Sequence, residues 1–95
     1  MPTGPRRHVD EVTAGPGGAM TDEVGVITGD LTIATALQPG GRVAVHIQYT
    51  GAEEWYTLTG SPVAVAPGGL GALHTAVVQA VRHGGGAVVP APGRQ

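Results

Sequence analysis

The sequence predicts an α+β domain: an antiparallel β-meander of about four or five strands with one C-terminal helix packed on one face. Two patterns carry this prediction. Apolar and polar residues alternate through residues 42–59, which is typical of a half-buried β-hairpin. An apolar stripe with helical spacing follows in residues 70–83 and can cover the apolar face of that hairpin. We expect the strands within residues 23–66 and a single domain over residues 23–89.

Composition limits the core and the classes of partner. The 95 residues include 17 Gly and no Phe, and Ala and Val dominate the apolar set, so little area is buried per residue. This favours a homo-oligomer, with a dimer as the simplest form. The net charge is −2 and the five cations, all Arg, form no stripe, which argues against a nucleic-acid partner.

Missing residue types exclude further classes. The absence of Cys rules out disulfides and thiolate metal sites. No apolar run approaches the roughly 18 residues of a membrane span, and residues 1–16 lack the apolar core of a secretory signal. We therefore expect a cytoplasmic protein. The lack of Lys, Asn and Phe, whose codons are AT-rich, indicates a GC-rich genome such as that of an actinobacterium.

Both ends of the chain are expected to be loose. Residues 1–22 are rich in Gly and Pro and have few apolar anchors, which predicts a disordered N-terminal tail. Met20 offers an alternative start of the chain. Residues 90–95 are predicted to form a loose C-terminus.

A first hairpin is predicted over residues 24–37. Residues 24–27 and 31–37 flank Thr28-Gly29-Asp30, whose composition is typical of a turn. Three apolar side chains of the second strand share one face with a single polar residue among them; the four are Leu31, Ile33, Thr35 and Leu37.

The second hairpin has a register that its own pattern constrains. A two-residue loop at Ala52-Glu53 places Tyr49 opposite Tyr56 and Ile47 opposite Leu58, so apolar residues meet apolar ones. A loop at Gly51-Ala52 keeps the same faces. The apolar face then comprises Val43, Val45, Ile47, Tyr49, Tyr56 and Leu58. The polar face comprises His46, Gln48, Thr50, Trp55, Thr57 and Thr59.

The C-terminal third predicts an edge strand and a helix. Residues 63–66 follow Pro62 and are expected at a sheet edge. The helix over 70–83 ends at a Gly run and carries Arg82 and His83 in its last turn, where they suit the helix dipole. Residues 87–89 are expected to return as a short strand. The helical stripe comprises Leu70, Leu73, His74, Val77, Val78 and Val81.

The polar face of the second hairpin is the predicted contact surface. Trp55 is a large side chain among hydrogen-bonding residues, and indole is enriched at interfaces because it buries much area and keeps a donor. His74 is the polar member of the helical stripe: it either bonds a carbonyl at the edge of the core or lies at an interface or pocket. The candidate binding or interface residues are His46, Gln48, Trp55, Thr57 and His74.

No catalytic, metal or cofactor site is predicted. The four His residues have no ligand spacing, and His74 and His83 lie on opposite sides of the helix. Glu53 and Glu54 diverge at an exposed tip, Ser61 lies outside a nucleophile elbow, and residues 68–71 lack a P-loop ending.

One short stretch bears a family resemblance. Ala44-Val45-His46 followed by Thr50-Gly51-Ala52-Glu53-Glu54 resembles part of the SsgA-like sporulation and division proteins of actinobacteria. Those proteins are longer, nothing else in the chain matches them, and no function is transferred.

The sequence thus favours a small non-catalytic, homo-oligomeric interaction or regulatory protein that makes contacts through the outer face of the 42–59 hairpin. An unidentified protein partner is compatible with the same surface. The alternative is a small-molecule-binding protein or minor enzyme with a pocket around His46, Trp55 and His74.

Overall fold

A computed structural model describes residues 7–65 and 68–90 of the chain. Within them an antiparallel five-stranded sheet is accompanied by a two-stranded sheet and one helix, which confirms the predicted α+β class. The elements are β1 (Arg7–Thr13), β2 (Ala19–Thr21), β3 (Gly25–Ile27), β4 (Asp30–Leu37), β5 (Arg42–Tyr49), β6 (Tyr56–Thr57), β7 (Val63–Ala64) and α1 (Gly69–His83). The large sheet runs β1-β4-β5-β6, and β7 also pairs with β5.

The central pair β4–β5 divides the large sheet into two faces. Ile33 lies opposite both Asp10 of β1 and Ile47 of β5, and directly opposed residues share a face. The covered face, on which α1 packs, comprises His8, Asp10, Val12, Leu31, Ile33, Thr35, Val43, Val45 and Ile47. The outer face comprises Arg7, Val9, Glu11, Thr32, Ala34, Ala36, Ala44, His46, Gln48 and Thr57. The predicted alternation of both central strands is confirmed.

Helix α1 buries the predicted stripe. Leu73, His74, Val77 and Val81 are buried, while Leu70 and Val78 pack at the border of the core. The helix ends where Gly84 donates its backbone N–H to the carbonyl of Ala80 over 3.0 Å. Gly84 has a φ of 87°, and a Cβ there would collide with the carbonyl oxygen of Pro16, so this position requires glycine.

The predicted disordered tail is wrong for residues 7–22. Strand β1 pairs with β4 along its whole length. The loop that follows lies against the end of the helix, where Gly85 donates to the carbonyl of Pro16 (2.6 Å) and Gly15 donates to the carbonyl of Val81 (3.0 Å). Backbone hydrogen bonds order this segment together with only two buried apolar side chains, Val12 and Ala19, which is why its composition concealed it. Residues 1–6 and the predicted loose residues 91–95 lie outside the described part.

The predicted hairpin over residues 24–37 is also wrong. Strand β3 pairs with β2, with Ile27 opposite Ala19, and not with β4. Both edges of β4 are occupied by longer strands, β1 and β5, so the short β3 is excluded from the large sheet. Ile27 is still buried, because the two-stranded sheet packs onto the same core.

The second hairpin keeps the predicted faces and has the register of the second of the two predicted loops. Ile47 lies opposite Tyr56 and His46 opposite Thr57, as a loop at Gly51-Ala52 requires, whereas a loop at Ala52-Glu53 would shift the pairing by two residues. The strand pairing stops short of the turn, so residues 50–55 form the connection. Ala52 holds this wider loop: its N–H donates to the carbonyl of Tyr49 and its carbonyl accepts from the Gln48 side chain, each over 2.9 Å.

The remaining short segments follow the prediction in part. The edge strand is found as Val63–Ala64, with Val63 opposite Val43. The expected strand at 87–89 is reduced to an isolated bridge between Ala87 and Ala19 and one hydrogen bond, from the N–H of Val89 to the carbonyl of Thr59.

Candidate functional site

The outer face of the large sheet carries a shallow groove beside the only Trp. The groove has a volume of ≈ 210 Å³; its floor is Ala34 and Ala36, and its walls are Arg7, His46 and Trp55. Helix α1, the one helix among the described residues, packs on the opposite face. Small floor residues let a contacting group approach the backbone closely, while Trp55 supplies apolar area and an N–H donor.

Four of the five predicted site residues lie together on this face. His46 and Trp55 line the groove, and Thr57 lies opposite His46 in the strand pairing. Gln48 is two residues along β5 on the same face, but its amide is bound to the carbonyl of Ala52. Gln48 is therefore used to hold the loop that presents Trp55.

Thr57 is also occupied, by a carboxylate of the β2–β3 turn. The backbone N–H of Thr57 donates to Oε1 of Glu23 and its hydroxyl donates to Oε2, both over 2.7 Å. These bonds, the backbone one foremost, hold the pKa of the Glu23 carboxyl below its ordinary value. Nearby, Asp22 accepts from the hydroxyl of Thr59 over 2.8 Å. The two carboxylates thus fasten the small sheet to the edge of the large one.

Tyr56 points to the covered side of the same strand. Its hydroxyl donates to a carboxylate oxygen of Glu54 over 3.2 Å. Burial of the ring, followed by the charge of Glu54, raises the pKa of Tyr56. This pair helps to fix the strand that follows Trp55 and takes no part in the groove.

His74 lies on the opposite side of the sheet from His46 and Trp55. It is 4% exposed; its Nδ1 lies 2.8 Å from the hydroxyl of Thr35, and its Nε2 lies 2.7 Å from Oδ2 of Asp10. A carboxylate only accepts hydrogen bonds, so Nε2–H of His74 donates to Asp10, while Nδ1 shares a hydrogen bond with the hydroxyl of Thr35. A single pocket around His46, Trp55 and His74 is therefore excluded, because the sheet separates His74 from the groove.

The Thr35–His74–Asp10 chain has the composition of a nucleophile, base and orienting acid. Its geometry does not support that chemistry, because Thr35 is 0% exposed and no substrate can reach its hydroxyl. The ring of His8 stacks on that of His74 with centroids 5.2 Å apart. These hydrogen bonds instead join the helix to β1 and β4, because His74 of α1 bonds to Asp10 and to Thr35.

This buried chain was missed by the sequence prediction, although one signal existed. Thr35 is the polar residue in the apolar face of β4, and His74 is the polar residue in the apolar stripe of the helix. Since both surfaces face the same core, the two side chains had to meet or remain unsatisfied. Asp10 gave no such signal, because β1 has no apolar alternation.

Two other concavities border the helix. One of ≈ 580 Å³ lies at the end of the sheet between Asp30 and Arg82, and one of ≈ 240 Å³ lies beside His74 between Asp10 and Arg82. Within the described residues no three His, Cys, Asp or Glu side chains are arranged to hold a metal ion. Among the same residues no helix has the length and apolarity needed to cross a membrane.

Comparison of the chain with protein-family models, with curated proteins and with solved structures found no match.

Proposed function

We propose that the protein is a small non-catalytic, homo-oligomeric interaction protein that makes its contacts through the outer face of the sheet. The observation that carries this proposal is the position of Trp55. It stands 37% exposed at the wall of a groove floored by alanines, on the face that the helix leaves open. Aromatic anchors beside small and polar neighbours are typical of the energetically dominant centre of an interface.

The neighbours of Trp55 suit a contact with another protein surface. Arg7 and His46 provide hydrogen-bond donors on either side of the groove, and Val9, which is exposed on β1, extends its apolar area. One N–H of the Gln48 amide and the hydroxyl of Thr57 already donate hydrogen bonds within the chain, so covering these two donors costs no further hydrogen bonds.

A small-molecule site is the weaker candidate. The groove of ≈ 210 Å³ is smaller than the roughly 300–1,000 Å³ of typical ligand pockets. It contains no buried titratable group aimed into it, since the buried His74 lies on the other face. A peptide segment or a second sheet face fits such a shallow surface better than an enclosed ligand does.

The fluorescence of Trp55, the only Trp in the chain, tests the proposal directly. Sedimentation velocity over a micromolar dilution series measures association, while iodide quenching measures access to the indole. We expect Trp55 to be protected in the oligomer and to become accessible on dilution. Trp55→Ala is expected to weaken association about thirtyfold, as for an interface residue worth about 2 kcal/mol.

Tyr49→Ala is the matched control. The exposed fraction of Tyr49, 41%, is similar to the 37% of Trp55, but Tyr49 belongs to the covered face, at the end of β5. Its removal should leave association unchanged. A wild-type monomer at all concentrations, or equal quenching of Trp55 in monomer and oligomer, would contradict the proposal.

A further inference from the structure

Strand β1 is an edge strand, and its free edge can be identified residue by residue. Ala14 donates its N–H to the carbonyl of Gly29 over 2.9 Å, in the same register that pairs Thr13 with Asp30. Antiparallel hydrogen-bonded pairs alternate, so His8, Asp10 and Val12 also direct their backbone groups towards β4. The N–H and C=O groups of Arg7, Val9 and Glu11 therefore point away from the sheet. No described residue bonds to these outward groups.

The side chains along this edge are self-complementary. In the segment Arg7-His8-Val9-Asp10-Glu11, the two basic residues precede Val9 and the two acidic residues follow it. If a second copy pairs antiparallel about a two-fold axis at Val9, Arg7 lies opposite Glu11 of the second copy. His8 then lies opposite Asp10 of the second copy, and the two Val9 side chains meet. Opposite charges directly across an antiparallel pair are stabilising, and like charges are destabilising.

The backbone admits few other registers. Only alternate residues point outward, and an outward residue must pair with an outward residue of the second copy. The two-fold axis therefore passes through a residue, never between two residues. Centring on Asp10 opposes Asp10 to Asp10, and centring on Glu11 opposes Glu11 to Glu11. Centring on His8 leaves Arg7 opposite Val9. The register at Val9 alone matches every charge and makes each outward group of Arg7, Val9 and Glu11 part of a hydrogen-bonded pair.

We infer that two copies of the chain join edge to edge at β1, antiparallel and centred on Val9. The inference rests on the homo-oligomer proposed above and adds a second contact to that of the outer face. The two five-stranded sheets become one continuous sheet, and the two outer faces become one surface with an Arg7 on each side of the seam.

The seam brings the two copies of helix α1 side by side, because α1 packs over β1 and β4. For a helix axis midway between these two strands, with strands about 4.8 Å apart, the two helices lie about 10 Å apart across the two-fold axis, which is an ordinary helix-packing distance. Thr75, Gln79 and Arg82, on the flank of α1 beside Asp10, would then face the second helix.

Charges on an edge strand also serve to prevent pairing. Charges protect an edge against strands that cannot neutralise them. Here a second copy supplies an opposite charge at each charged position of one register, so the pattern favours a second copy over unrelated edges.

Charge reversal tests the seam. Glu11→Arg places Arg opposite Arg7 twice in each dimer, and should weaken association tenfold or more in sedimentation experiments. Glu53→Arg makes the same change of charge at the exposed hairpin tip and should have no effect. Equal behaviour of Glu11→Arg and Glu53→Arg would overturn the inference.

Cross-linking tests the register independently, because the chain contains no Cys. Paired Cα atoms across a hydrogen-bonded antiparallel pair lie about 5.5 Å apart, within the range that a disulfide spans. Oxidised Val9→Cys should therefore run as a covalent dimer, whereas Thr13→Cys, at the end of the same edge, should stay monomeric. Cross-linking at Thr13 but not at Val9 would refute the register.

The two contacts fail separately. If Trp55→Ala weakens association and charge reversal does not, the outer-face proposal stands and the seam is wrong. If charge reversal weakens association and Trp55 remains equally quenchable, the seam stands and the outer-face contact is wrong.

Discussion

The two faces of the sheet are built from the same strands, but their side chains are buried in different ways. On the covered face, Val45 and Ile47 are large and fully buried, in the core cluster that also contains Leu73, Val77 and Val81 of α1. On the outer face, Ala34 and Ala44 are only 4% and 5% exposed although no helix covers them. Small side chains are shielded by their neighbours, whereas branched ones need a second layer. Burial alone therefore does not show which face the fold depends on; the buried volume does.

Polar groups follow the same division. On the covered face, Thr35 and His74 satisfy each other across two layers. On the outer face, the Gln48 side chain bonds to the loop that follows its own strand, and Thr57 bonds to Glu23 in the turn of the small sheet. Breaking the first set should loosen the helix from the sheet, and breaking the second should affect only the rim.

The largest expected effect comes from charging the layer that covers the sheet. Val77 is fully buried at the centre of the helix contact, so Val77→Asp buries an unpaired carboxylate. We expect a loss above about 4 kcal/mol, enough to unfold a domain of this size. Circular dichroism and thermal melting measure it. Ala76 is exposed on the same helix, so Ala76→Asp is the control and should cost less than about 1 kcal/mol. A similar loss of stability in both variants would show that the helix does not need its packed face.

The polar contact within the core should have an intermediate effect. His74→Leu leaves the hydroxyl of Thr35 buried without its partner, at a cost of about 1–3 kcal/mol. Replacing both groups, in Thr35→Val with His74→Leu, removes the unsatisfied hydroxyl and should cost less than the sum of the single changes. Urea unfolding of the four proteins gives the coupling. Strict additivity would mean that the hydrogen bond does not join the layers.

The smallest expected effect lies at the rim and depends on pH. The pKa of Glu23 is lowered in the folded state because Thr57 donates two hydrogen bonds to the ionised carboxylate. The stabilisation is present above the unfolded pKa of about 4.3 and is lost as the pH falls through the lower folded pKa. The difference in Tm between wild type and Glu23→Gln should therefore shrink between pH 7 and pH 3.

Glu53→Gln is the control for this experiment. The Glu53 carboxylate, at the hairpin tip, accepts no hydrogen bond from the described residues. Its substitution should change Tm little at either pH. A Tm difference for Glu23→Gln that stays constant with pH would show that the bonds to Thr57 do not favour the charged form.

The candidate site was predictable in part. The alternation of residues 43–49 assigned His46 and Gln48 to the face opposite Val45 and Ile47, and the structure places Trp55 and Thr57 with them. Their neighbour Arg7 was not predictable, because it lies on β1. The sequence of β1 has no apolar alternation, and this segment is a strand because it pairs with β4. The fastening of Thr57 by Glu23 likewise joins residues far apart in the chain.

The sequence by itself determined the helix at 70–83, the faces of β4 and β5 and the parity of the second hairpin, because periodic burial is written in neighbouring residues. The tertiary structure alone decided that β1 occupies the edge of β4, that β3 pairs with β2, and that His74 bonds to Asp10 on the side away from Trp55. These outcomes depend on which backbone edges are already occupied and on which distant polar groups meet in the core. Neither is a property of any local stretch of residues.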